Sequence, residues 1–169
     1  NLYIIFFFNS VYIFFFLNFF SIRTFDSLNL ALTIISSGGF LPVNDLSSII
    51  KDNYQAVVLS ILMLFSFFSL FFIYNLFFSK KSNVNFFYED LHLVIYLIAV
   101  VTIFFLFFSF NYNFSYNLLA ITSSISNIGF SLNTQQTNLN FIYILLVIIG
   151  GSFFSTSSGL RFLKIYSLT

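Results

Sequence analysis

The sequence predicts an all-α integral membrane protein made of two tandem helix–re-entrant loop–helix units, the last helix broken by an intramembrane loop. Two observations carry that prediction: a composition that cannot coat a hydrated globule, and a pattern that returns at a fixed offset. Of the 169 residues, 59% are hydrophobic and 7% charged, with a mean hydropathy of +0.99. A soluble domain carries about 25% charged residues, so six Lys/Arg and five Asp/Glu leave little to face water. A net charge of +1 offers no basic face to nucleic acid.

Long apolar segments run at roughly Leu2–Ser21, Ala56–Phe78, Leu91–Phe110 and Phe141–Leu160. Each is near the ~20 residues a helix needs to cross a hydrocarbon core of ~30 Å. The first lacks the basic flank and small-residue cleavage site of a signal peptide. The chain has no initiator Met, and "KIYSLT" follows directly on the last segment, so a fragment of a longer protein is expected. The 30 Phe read as lipid-facing bulk. Without Cys, and with one His, disulfides and thiolate metal sites are excluded and no metal centre or cofactor is expected.

Lys80 and Lys81 follow the second segment, and Arg161 and Lys164 the fourth. The positive-inside rule puts both pairs in the cytoplasm. The opposite connections hold Arg23 and Lys51 among Asp26, Asp45 and Asp52. Glu89 and Asp90 are expected to start the third helix, where acids complement the dipole. His92 is either a headgroup-level polar residue or, less simply, a proton relay.

The outer connections are about thirty residues each, longer than most helix–helix loops. They read "DSLNLALTIISSGGFLPVND" and "YNLLAITSSISNIGFSLNTQ". Aligning their Gly-Phe pairs gives an offset of 90, matching Leu28 with Leu118, Ile35 with Ile125, Ser36 with Ser126, Gly39 with Gly129 and Phe40 with Phe130. The flanking segments fall at the same offset, so the chain reads as an internal duplication. Its units are 1–78 and 91–169, joined by a cytoplasmic linker at 79–90. Re-entrant segments are expected at about 26–41 and 115–131, and the broken helix at 141–168. A half-helix of about ten residues spans roughly 15 Å and aims its negative dipole end at the membrane centre. Non-helical backbone at that depth must be buried or line a water-filled path. Its carbonyls suit a dehydrating monovalent cation.

These residues resemble the Trk/Ktr/HKT superfamily of potassium transporters, whose members are like four fused potassium-channel subunits. "ISSGGF" at Ile35–Phe40 is similar to the family's second filter loop and "SSISNIGF" at Ser123–Phe130 to its third. "YEDLHLVIYL" at Tyr88–Leu97 resembles the start of the third repeat, and "IGGSFFSTSSGLRFLK" the "GGxxGSTxGGxKxxR" signature that ends it. The resemblance implies two potassium-channel-like helix–pore loop–helix repeats, the second and third of four. It implies filter loops at Ser36, Ser37, Gly38, Gly39, Ser126, Asn127, Ile128 and Gly129. It further implies a gate loop at Gly150, Gly151, Ser152, Ser155, Thr156, Ser157, Ser158, Gly159 and Arg161. Potassium is then the transported ion, in a bacterial inner membrane. The partners implied are the lipid bilayer, the remaining repeats or a second copy in a homodimer, and a cytoplasmic nucleotide-binding regulatory subunit. Phe154 and Ser158 stand where the family has glycines, Arg161 and Lys164 exchange its Lys and Arg, and Asn127-Ile128 replaces a small hydroxyl pair.

Two plainer readings stand beside this. The Gly/Ser-rich tail also suits small-residue helix packing, and Arg161 also suits a snorkelling anchor. In function class the alternative is a small hydrophobic structural subunit of a respiratory-chain complex. An enzyme is not expected, since no nucleophile–base pair or phosphate loop is visible.

Overall fold

A computed structural model describes residues 2–43, 45–69, 84–108, 114–130, 140–152 and 155–166. Among them the fold is helical: α1 (Leu2–Phe19), α2 (Thr24–Ser36), a short 3-10 turn (Leu46–Ser48), α3 (Asn53–Phe67), α4 (Val84–Phe108), α5 (Phe114–Ile125), α6 (Asn140–Ile148) and α7 (Phe162–Tyr166).

Helices α3 and α5 form the centre, with α1 and α2 on one side and α4 and α6 on the other. Leu17, Leu30, Ile34, Leu59, Met63, Leu119 and Ile128 fill the first core. Phe67, Leu93, Phe104, Ile121, Ile125 and Leu146 fill the second. The start of α3 is tied down by Gln55. Its side-chain oxygen accepts from the Lys51 amide at 3.0 Å, and its side-chain nitrogen donates to Phe20 O at 3.1 Å.

The helix lengths correct the expected architecture. Among the described residues no helix is long and apolar enough to cross a membrane. At 1.5 Å per residue, α1 spans about 27 Å, α3 about 22 Å and α6 about 13 Å, against a hydrocarbon core of about 30 Å. The integral-membrane fold class, the transmembrane helices and the inner-membrane location are therefore not supported. The physical reason is where helices stop. The backbone turns extended at Phe68 (φ −79, ψ 162), well short of the end of its apolar run, and α6 ends at Ile148, ahead of Gly150.

One local expectation also changes. Helix α4 begins at Val84, so Glu89 and Asp90 lie beyond its first turn. Asp26 is buried in the first turn of α2, where its carboxylate takes the Arg23 Nε hydrogen bond at 2.9 Å. Lys80 and Lys81, one of the two basic pairs behind the expected orientation, lie outside the described residues.

Candidate cation site

Helices α2 and α5 end in the same way, residue for residue, 90 positions apart. In α2 the Ser37 amide donates to Ile34 O and the Gly38 amide to Thr33 O; in α5 Asn127 donates to Ser124 O and Ile128 to Ser123 O. This is the paired bonding of a Schellman C-cap, which needs a left-handed residue just past the helix. Ser37 (φ 49) and Asn127 (φ 58) take that conformation. Two residues on, Gly39 (φ 68) and Gly129 (φ 79) are left-handed again.

A side-chain clasp then closes each loop. Thr33 Oγ1 donates to Phe40 O at 2.8 Å, and Ser123 Oγ donates to Phe130 O at 3.3 Å while accepting the Phe130 amide at 2.8 Å. Ser36 and Ser126 each turn a hydroxyl back to the carbonyl three residues earlier, at 3.4 Å in both loops. The clasps give a direct prediction. Ser123→Ala removes a donor and an acceptor from a buried site and is expected to destabilise by about 1–3 kcal/mol. Thr33→Val loses one bond, about 1 kcal/mol. Urea unfolding of the two variants checks the order.

The loops meet. A Cβ on Gly39 would collide with the carbonyl oxygen of Ile128, whereas one on Gly129 would meet nothing within 4 Å among the described residues. Two side-chain oxygens at equivalent positions, Ser37 Oγ and Asn127 Oδ1, are buried without a hydrogen-bond partner. Buried orphan oxygens are uncommon and costly, and both stand at the carbonyl-rich, negative end of a helix. The surroundings are not identical: Phe130 is buried at 2% exposure, Phe40 exposed at 79%.

The C-terminal loop is a separate construction. Leu160 donates to Ile148 O at 2.9 Å and Gly150 donates to Leu160 O at 2.8 Å, pinching the chain at both ends. Gly151 donates to Ser157 Oγ at 2.9 Å. The loop lies on the end of α3: the Ser152 amide donates to Phe67 O and the Ser157 amide to Ser66 O, both at 3.1 Å, with Thr156 Oγ1 reaching Ser66 O at 3.4 Å. Those are carbonyls that a helix C-terminus leaves unpaired. Arg161 turns into the loop, while Gly159 (φ 93) reverses the chain before it. Asn127 Nδ2 donates to Ser158 O at 2.8 Å, joining the α5 loop to this one.

The structure thus brings Gly39 against Ile128, and the Asn127–Ser158 bond links the α5 loop to the C-terminal one. Sequence reasoning missed the Thr33 and Ser123 clasps because the two residues differ, although both are hydroxyls at the shared offset. It also missed the Asn127–Ser158 link, which no local pattern announces. Compared with protein-family models, curated proteins and solved structures, the chain matches none.

Proposed function

We propose that the chain supplies two loops of a monovalent-cation path, with potassium as the ion the filter-like sequences suggest. The observation that carries this reading is the pair of identically capped helix ends meeting backbone to backbone at Gly39 and Ile128. Helix C-termini present partial negative charge, and backbone carbonyls can replace the hydration shell of a large monovalent ion. The orphan oxygens of Ser37 and Asn127 add acceptors at the same level of each loop.

The contact between the loops is head-to-tail, since Gly39 of one meets Ile128 of the other. Head-to-tail contacts repeat until a ring closes. A further loop, supplied by a second copy or by additional chain, would dock beside Gly129, where an added Cβ meets nothing within 4 Å among the described residues. Calorimetric titration of the purified chain with potassium is expected to show saturable binding that strengthens with chain concentration and weakens in Gly39→Ala. No saturable binding at any chain concentration, or binding indifferent to that substitution, rejects the reading.

A further inference from the structure

Helix α6 and helix α7 are joined by a loop that converges on a single nitrogen. One terminal guanidinium nitrogen of Arg161 lies 3.1 Å from Ser152 O, 3.3 Å from Ser155 O, 3.0 Å from Ser155 Oγ and 3.0 Å from Ser157 O. That nitrogen carries two N–H protons, so four oxygens share two donors. The arrangement holds more acceptors than directed hydrogen bonds can use. A cation without directional protons would satisfy all four at once. Ser152, Ser155 and Ser157 are buried, and Ser152 Oγ is a further buried oxygen of this loop without a partner.

The dimensions narrow the class of ion. Calcium takes oxygens at about 2.3–2.6 Å and magnesium at about 2.0–2.1 Å, usually with carboxylates. Here the oxygens stand 3.0–3.3 Å from the centre and are neutral carbonyls and a hydroxyl. Among the described residues no His/Cys/Asp/Glu group could hold a metal ion. The cage suits a large, weakly hydrated monovalent cation, and the guanidinium group is itself such a cation.

We propose that the oxygens of Ser152, Ser155 and Ser157 form a monovalent-cation cage whose resident occupant is the Arg161 side chain, so that removing it opens a site for potassium or a guanidinium ion from solution. The inference rests on this loop alone and not on the paired loops of α2 and α5, so its failure leaves the cation-path reading untouched.

The test is thermal unfolding of the full chain and of Arg161→Ala, followed by circular dichroism in three chloride salts at equal ionic strength. In N-methylglucamine, a cation too large for the cage, Arg161→Ala is expected to melt several degrees below the parent. Methylguanidinium, potassium or both should recover that loss while leaving the parent melting temperature unchanged. A variant that responds equally to all three salts, or to none, overturns the proposal. Should Arg161→Ala fail to fold in N-methylglucamine, the salts are supplied during refolding. Recovery restricted to methylguanidinium or potassium supports the cage, and recovery in none of them overturns it. Arg161→Lys provides a second check, because a shorter cation leaves the cage partly filled. It is expected to melt between the parent and Arg161→Ala and to respond less to added potassium; a lysine variant that melts below the alanine variant counts against the cage.

Discussion

Replacing Gly39 with alanine is expected to cost far more stability than the same change at Gly129. Both positions have positive φ, at 68° and 79°, so each alanine bears a left-handed backbone penalty of about 1–2 kcal/mol. Only at Gly39 does the new methyl strike the Ile128 carbonyl of the other loop. The helix cap ties the Ile128 amide to Ser123 O, which restrains the peptide next to it, so the loops must part, adding about 1–3 kcal/mol of overpacking. The difference between the variants isolates the loop–loop contact. In a chain of this size each kcal/mol moves the melting temperature by about 2–4 °C, so Gly39→Ala should melt several degrees below Gly129→Ala. Equal melting temperatures would mean that the loops do not meet. Any potassium binding should weaken in parallel at Gly39, because separated loops no longer present their oxygens together.

Gly151→Ala is expected to produce the other large effect, in the C-terminal loop. Its Cβ would collide with Phe67 O and come within 2.7 Å of both Ser155 Oγ and Ser157 Oγ. The backbone there is not left-handed, so the whole penalty is steric. The loop would have to lift from the end of α3, freeing Ser66 O and Phe67 O from their partners. Each buried carbonyl left unsatisfied costs about 1–3 kcal/mol, and a total near 3 kcal/mol is expected. Amide exchange separates this from general destabilisation. The Ser152 and Ser157 amides, which donate to α3, should lose protection in Gly151→Ala while the α1 and α2 amides keep theirs. Uniform loss across the chain would contradict the docking role.

The offset of 90 aligned the two loops that follow α2 and α5, because their glycines and serines are visible locally, but it did not single out Ser37 and Asn127 as the left-handed residues of the two caps. The lengths were another matter. Unbroken runs of Phe, Leu and Ile say that a segment is apolar, not where its hydrogen bonding stops. Helix α3 stops at Phe67 within such a run, in contact with a loop far along the chain. The expected span Ala56–Phe78 therefore misjudged a tertiary boundary. The clasps were legible only as chemistry: Thr33 and Ser123 are not identical, yet both offer a hydroxyl to the carbonyl seven residues on. Arg161 was open to two readings from sequence, a snorkelling anchor or a member of a gate loop. Its four oxygen contacts come from residues four to nine positions earlier, folded back in a way that no periodicity encodes.

The capping of α3 by the C-terminal loop also sets an order of events in time. Thr156 and Ser66 are 90 residues apart, and closing so long a chain segment is slow relative to forming a helix turn. Helix α3 can wind from its Asp52–Gln55 end as soon as it is made. Its final turn must wait, carbonyls bare, until Gly151 to Arg161 arrive. In a refolding experiment with amide labelling, the Phe68 amide, which donates to Leu64 O, should therefore gain protection in step with Ser157. The amides in the middle of α3 should be protected earlier.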